Sequence, residues 1–246
     1  MPSLPCTACR GLVPEAARFC PHCGTPQASS GILAPGTMLD GRYRIVSRLG
    51  QGGMSNVYLA RHERLERDVA IKFLQPQLLA DTRALTRFMR EARISSSVAH
   101  RNIVEVYDFG AADRVPYLVM EHVPGIPLDA EIEQQGAMRL ERAAHVLAQI
   151  ADALVAAHAL DLVHRDLKPA NVMLTRRGVD GDFVKILDFG LAVSTKDDAR
   201  LTKAGEVVGT PHYLSPEAWE GRGIDPRSDI YAFGVMAFEL LTGRVP

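Results

Sequence analysis

The sequence predicts an α+β chain in which a strand-rich stretch precedes a helix-rich one, with a small cysteine module in front. Three observations carry this. Residues 43–49 alternate enough for a strand, a Gly-rich turn follows, and Val69-Ala70-Ile71 forms a further apolar strand. Residues 139–160 place Ala143, Val146, Leu147, Ile150, Leu154 and Ala157 on one helical face. All four cysteines fall within the first 23 residues.

The totals are those of an ordinary globular protein: 246 residues, 47% hydrophobic and 23% charged. A net charge of −1 gives no global attraction to nucleic acid or anionic lipid. No apolar run approaches the ~20 residues of a membrane helix. The first residues, Met-Pro-Ser-Leu-Pro-Cys, lack the basic and apolar regions of a secretion signal. The expectation is a cytoplasmic protein, with a membrane anchor beyond Pro246 left open.

The cysteines stand as Cys6-Thr-Ala-Cys9 and Cys20-Pro-His-Cys23, two Cys-x-x-Cys knuckles with ten residues between them. That spacing can set four thiolates tetrahedrally around Zn²⁺. The alternatives are two disulfides or four free thiols, and disulfides are disfavoured without a secretion signal. Gly24 follows the second knuckle and permits a tight turn, whereas Arg10 occupies the matching place in the first. A segment this short has no core of its own, so metal binding would supply its folding energy. Four ligands leave no open position for catalysis. Arg10 and Arg18 are its cations, too few for a nucleic-acid surface. His22 reads as a bystander, and a protein-contact role is the expectation. The stretch resembles the zinc ribbons at the ends of many bacterial proteins. Residues 26–37 read as a linker of small, polar and breaker residues.

After a strand from Tyr43 comes Leu49-Gly50-Gln51-Gly52-Gly53-Met54-Ser55-Asn56-Val57. Gly50 and Gly52 would let backbone amides approach phosphates closely. Alone, a Gly-rich hairpin is a common turn. Fifteen residues past Val57, Val69-Ala70-Ile71-Lys72 ends an apolar strand in a lysine, which would be costly to bury without an anionic partner. Residues 85–98 then repeat Leu85, Phe88, Met89 and Ala92 at helical spacing and contain Glu91. Residues 101–107 and 115–120 read as two further strands, and Pro124-Gly125 breaks the chain after them.

The long helix over 139–160 delivers the chain to Leu-Val-His-Arg-Asp-Leu-Lys-Pro-Ala-Asn, residues 162–171. Asp188-Phe189-Gly190 follows Asn171 by seventeen residues. A carboxylate, a lysine and an amide in one short loop, followed by a second carboxylate, are the parts that phosphoryl transfer needs. A final helix over 228–242 carries Asp229, with Ser228 as its expected cap.

These motifs, in this order, resemble the protein-kinase family over residues 43–246, in particular the eukaryotic-like (Hanks-type) serine/threonine kinases of bacteria. The resemblance implies a bilobal fold: a zinc ribbon at 1–25, a linker and lead-in at 26–42, a β-rich N-lobe at 43–123 and an incomplete helical C-lobe at 124–246. It implies that Asp166 accepts the substrate hydroxyl proton and Lys168 neutralises the transferring phosphate. Asn171 and Asp188 would hold Mg²⁺ (or Mn²⁺). Lys72, paired with Glu91, would grip the ATP phosphates. Leu49, Gly50, Gly52, Ser55, Val57, Ala70, Met120, Glu121, Val123 and Met173 would surround the nucleotide, with Val104 and Leu187 completing its apolar walls. Ser55 replaces the third glycine of the kinase loop, Ser95 stands where a larger apolar residue is usual, and Ser215-Pro216-Glu217 departs conservatively from Ala-Pro-Glu.

Lys168 and Gly209-Thr210 fit serine/threonine rather than tyrosine kinases. Arg165 matches the arginine that binds an activation-loop phosphothreonine in relatives. Thr202 is the expected autophosphorylation position, with Ser194 and Thr195 as further hydroxyls and Glu206 as a carboxylate that would mimic a phosphate. Family members continue past the equivalent of Pro246. Their extra helices supply an arginine to Glu217, so that partner is expected to be lost and apolar faces of the last helix exposed. The implied activity is ATP-dependent phosphorylation of protein Ser/Thr hydroxyls. The alternatives are a nucleotide-binding pseudokinase or scaffold, an inactive fragment of a longer kinase, and a ribbon-based interaction module that carries a kinase. Small-lobe dimerisation is common in the family, but no residue here specifies it.

Overall fold

The computed structural model describes residues 3–6, 9–14, 20–23, 33–52, 55–75, 78–79, 81–82, 84–86, 88–89, 98–112, 115–189 and 211–246. The chain divides into two compact units, residues 1–85 with 108–119 and residues 86–107 with 120–246.

In the first unit, β1 (Ser3–Pro5) and β2 (Leu12–Pro14) form a short antiparallel pair beside the cysteines. The main sheet runs β3 (Met38–Leu39), β4 (Tyr43–Gln51), β5 (Ser55–His62), β6 (Arg67–Leu74), β8 (Val115–Glu121), β7 (Val106–Ala112) in spatial order. β5 alternates, with Asn56, Tyr58 and Ala60 facing inward, as a strand covered on one face should. β6 is buried continuously from Val69 to Leu74, which explains its apolar run, interrupted at Lys72. Tyr58 packs edge-on against Phe73, and Phe73 lies 5.4 Å from the Tyr117 ring. Gly110 is required here, because a Cβ would fall 2.4 Å from Tyr117.

Polar ties close one end of this sheet. Asp108 accepts from Arg42 Nη1 at 2.7 Å and from the Tyr43 hydroxyl at 3.1 Å. The Tyr117 hydroxyl donates to Asp40. The stretch read as linker is anchored at its far end: the Gly36 amide donates to the Ile45 carbonyl at 2.8 Å, and the Leu33 amide donates to the Tyr58 hydroxyl at 3.1 Å. Backbone pairing therefore starts before the strand expected from Tyr43.

In the second unit, β9 (Ile126–Pro127) leads into α1 (Leu128–Gln135) and then α2 (Leu140–His158). β10 (Val172–Arg177) pairs antiparallel with β11 (Asp180–Ile186) on one side and with β9 on the other. Gly125 marks a close approach as well as the predicted break, since a Cβ there would sit 2.1 Å from the Leu174 carbonyl. Val146, Ile150 and Leu154 of α2 share a core with Leu167, Val172, Leu174, Val184, Ile186 and Phe189. Met236 and Leu240 of the last helix, α4 (Pro226–Thr242), join the same core. The short α3 (Pro216–Trp219) precedes α4.

Two sequence expectations need correction. Residues 101–104 are not a strand, which starts at Val106. Asn102 is 2% exposed and donates to the Val184 carbonyl at 2.8 Å, while the Ile186 amide donates to the Asn102 carbonyl. That turn is thereby fixed against β11. The last helix begins at Pro226, and its cap is Asp225, which accepts the Arg227 amide at 2.8 Å. The Ser228 hydroxyl instead donates to Glu217 at 2.9 Å and lies 3.1 Å from the Ser215 hydroxyl. Glu217 thus has a hydroxyl partner, and Ser215, its own amide and Ser228 hold its carboxyl below the usual range. Ile230, Tyr231, Phe238 and Leu241 of α4 are exposed, as expected. Among the described residues no helix is long and apolar enough to cross a membrane.

Candidate active site

Asp166, Lys168 and Asn171 converge in the loop after α2. Lys168 Nζ lies 2.8 and 3.0 Å from the two carboxylate oxygens of Asp166. The Asn171 side-chain amide donates to the Asp166 backbone carbonyl at 2.7 Å and to its carboxylate at 3.0 Å. A 3-10 turn at Pro169–Asn171 makes this possible by folding the amide back over the loop.

The loop backbone is pinned from below. Asp229 is 1% exposed and accepts the His164 amide at 2.8 Å and the Arg165 amide at 2.9 Å. His158 Nε2 lies 2.8 Å from the same carboxylate. Arg165 is held in the left-handed region at φ 70°, and Asp188 at φ 56°. Such conformations cost a non-glycine residue about 1–3 kcal/mol and persist where the surroundings enforce them. For Arg165 the Asp229 bond is one such restraint.

His164 is fully buried and joins the two motifs. Its Nδ1 accepts the Asp166 amide at 3.3 Å, so Nε2 is the protonated nitrogen and donates to the Leu187 carbonyl at 2.9 Å. Its ring meets Phe189 edge-on at 4.6 Å. The Leu187 amide in turn donates to the Asn171 carbonyl at 2.8 Å. Asp188 therefore follows a strand end fixed to the Asp166 loop. His158 and His164 were not singled out from sequence. The available signal was a histidine in the last turn of the helix and another two positions before Asp166.

Asn171 and Asp188 offer oxygen donors suited to Mg²⁺. The side-chain nitrogen of Asn171 is committed to Asp166, while its side-chain oxygen Oδ1 accepts no hydrogen bond among the described residues. The donor set fits the ion.

In the first unit, Lys72 is 2% exposed on β6, opposite Val57 of β5. Gly50 also pairs with Val57, and Gly52 is held by its amide on the Ser55 carbonyl and by Gln75 on its own carbonyl. Leu49 is half exposed, and Ala70 is buried. Met120, Glu121, Val123 and Met173 belong to the second unit with the loop at Asp166. Glu91, Ser95 and the stretch 190–210, with Ser194, Thr195, Thr202, Glu206 and Gly209-Thr210, lie outside the described residues.

The four cysteines meet. Cys6 and Cys23 sulfurs are 3.6 Å apart, as are those of Cys9 and Cys20, and all four lie within 4.8 Å of one another. A tetrahedron of sulfurs at zinc-bonding distance has edges of about 3.8 Å, whereas a disulfide spans about 2.05 Å. The cysteines fit zinc. The His22 amide donates to Cys20 sulfur at 3.4 Å. Arg10 adopts φ 60°, taking the left-handed place that glycine usually fills.

The fold and the loop after α2 define a protein kinase: residues 43–246 match the protein kinase domain family, and the chain belongs to it. More particularly, its relatives are bacterial serine/threonine kinases. It is 46% identical over 206 residues to the serine/threonine-protein kinase Pkn1 of Myxococcus xanthus, covering 84% of this chain and 29% of that one. It is 45% identical to PksC of Streptomyces coelicolor, covering 88% and 40%, and 42% identical to PrkC of Bacillus subtilis, covering 86% and 32%. The chain thus spans less than half the length of these curated relatives. Among solved structures, the PknI kinase domain of Mycobacterium tuberculosis aligns with a TM-score of 0.69 at 31% identity, covering 87% of this chain and 79% of that one.

Proposed function

We propose that this chain transfers the γ-phosphoryl group of ATP to serine and threonine hydroxyls of proteins, itself included. The observation that carries the reading is the Asp166–Lys168–Asn171 arrangement, in which a carboxylate, a cation and an amide converge within one pinned loop. Asp166 takes the proton of the attacking hydroxyl. The hydroxyl oxygen forms its bond to the γ-phosphorus as the bond to the bridging oxygen breaks, and ADP leaves. Lys168 places its charge on the equatorial oxygens of the group in flight. Lys72 orients the α- and β-phosphates, with Glu91 as its partner carboxylate, beneath a loop built on Gly50, Gly52 and Ser55. Leu49, Val57, Ala70, Met120 and Met173 supply apolar walls to the base, and backbone groups of Glu121 and Val123 its polar edge. Asn171 and Asp188 hold Mg²⁺, which supplies charge neutralisation on the phosphates when bound.

We assign Cys6, Cys9, Cys20 and Cys23 to a structural Zn²⁺ and the ribbon to a protein contact. Four cysteines gathered on one zinc fit a reducing, cytoplasmic compartment. Metal analysis of the purified chain should return one zinc, lost in Cys6→Ser/Cys9→Ser.

The test of the kinase reading is labelled ATP with Mg²⁺, offered to the chain and to a generic basic protein beside Asp166→Asn. Labelling by the parent and none by the variant is the expected result. A folded parent that binds ATP without any transfer would replace this reading with a nucleotide-binding scaffold.

A further inference from the structure

A cavity lies in the second unit, away from Asp166, Asn171 and Asp188. It holds about 620 Å³, within the range of small-ligand pockets, and has both polar and apolar walls. Three arginines line it: Arg101 from the turn before β7, and Arg176 and Arg177 from the end of β10. All three are exposed to solvent, and none forms an ion pair among the described residues. The other cation of the lining, Lys185, is already satisfied by Glu121 at 2.6 Å and the Ile103 carbonyl at 3.2 Å. Glu105 is the remaining carboxylate of the lining. Three uncommitted guanidinium groups therefore face one uncommitted carboxylate, in a chain whose net charge is −1.

Two of these guanidinium groups are held in place. Arg101 and Arg177 each lie 4.9 Å from the ring centroid of Phe183, which is itself buried. Stacking on a ring fixes the plane of a guanidinium while leaving its N–H groups available. A pair so arranged matches the tetrahedral oxygens of a phosphate better than a surface lysine would. The cavity far exceeds one phosphate in volume, and Val98, Ile103, Val106 and Pro124 give it apolar wall. The occupant is thus an organic body bearing the phosphate, with Glu105 placed to accept a hydrogen bond from a hydroxyl or amide of that body.

We infer that this cavity is a binding site for a phosphate monoester, carried either by a small metabolite or by a phosphorylated side chain of a peptide. The site lies entirely in the second unit, and the inference does not depend on phosphoryl transfer by the loop at Asp166.

The test titrates the whole chain by calorimetry, with the nucleotide site saturated by Mg²⁺ and a non-hydrolysable ATP analogue. The probes are free O-phosphothreonine, a capped heptapeptide with one phosphothreonine among alanines, and its unphosphorylated twin. At least one phosphorylated probe should bind with Kd below about 1 mM, and the twin should not. Binding should weaken about tenfold or more in Arg101→Gln/Arg177→Gln. Arg176→Gln, which touches no ring, should weaken it with the melting temperature unchanged. Binding by the free amino acid assigns the site to small monoesters, and binding by the peptide alone assigns it to phosphorylated segments. Equal binding of the twin, no binding of either phosphorylated probe to about 10 mM, or unchanged affinity in the folded variants would overturn the inference.

Discussion

Asp229 holds the backbone of Arg165: its Oδ1 accepts the Arg165 amide at 2.9 Å across 64 residues of sequence. The same carboxylate takes the His164 amide and faces His158. Replacing it by alanine leaves two amides without their acceptor in a site that is 1% exposed. Asp229→Ala should cost about 3 kcal/mol, at roughly 1–3 kcal/mol per orphaned donor with partial rescue by water. The melting temperature should fall, and labelling from ATP should fall with it even at temperatures where the variant is folded. Full labelling by folded Asp229→Ala would remove the pin from the catalytic account.

Arg10 occupies a left-handed turn in the first cysteine knuckle. Arg10→Gly should relieve about 1 kcal/mol. Because metal binding and folding of so short a segment are one process, the gain should appear as roughly fivefold tighter zinc retention against a chelator. Competition with a chromogenic chelator measures this directly, and weaker retention would contradict the strain argument.

Gln149 ties α2 to β11 with one side chain. Its oxygen accepts the Val184 amide and the Asn102 side-chain amide, both at 3.0 Å, and its nitrogen donates to the Asp182 carbonyl at 2.9 Å. Gln149→Leu keeps the volume and removes these three bonds together with the contacts of the same nitrogen to His145. A loss of about 2 kcal/mol in denaturant unfolding is expected, by the desolvation penalty of the groups left behind. A loss below about 0.5 kcal/mol would mean that water replaces the amide.

Asp108 gives the small unit its acid dependence. Burial alone would raise its pKa. The Phe109 amide, the Tyr43 hydroxyl and Arg42 outweigh this and hold the carboxyl below its ordinary 3.8. A lowered folded pKa means the stabilisation is complete above about 4 and is lost as pH falls through the folded value. The stability gap between the parent and Asp108→Asn should be about 0.5–1 kcal/mol at pH 7, discounted for the partial exposure of the side chain. It should narrow as pH falls below 3.8. A gap unchanged from pH 7 to 2.5 would locate the effect elsewhere.

What could be read from sequence follows the range of the interactions. The 3.6-residue period of α2 is local, and the helix forms with the expected inward face. Cys6 to Cys23 and Asp166 to Asn171 are short stretches whose chemistry is set by spacing, and each set of side chains does converge. The failures lie where one side chain overrides a local pattern. Residues 101–104 look like strand, but the buried Asn102 amide ties them to β11 instead. Ser228 looks like a cap, but Asp225-Pro226 stops the chain earlier and frees Ser228 for Glu217. The Arg101 contact with Phe183 was invisible, because no period or motif links a turn to a strand eighty residues on.

The bond between Arg165 and Asp229 also sets a clock on synthesis. At ribosomal rates of 5–20 residues per second, the 64 residues between them take about 3–13 s to emerge. During that interval the nascent chain already contains Asp166, Lys168 and Asn171 but lacks the carboxylate that anchors their loop. A newborn chain on the ribosome therefore carries the reactive residues without the means to align them. The anchor arrives with the helix that carries Asp229, after both motifs are already made.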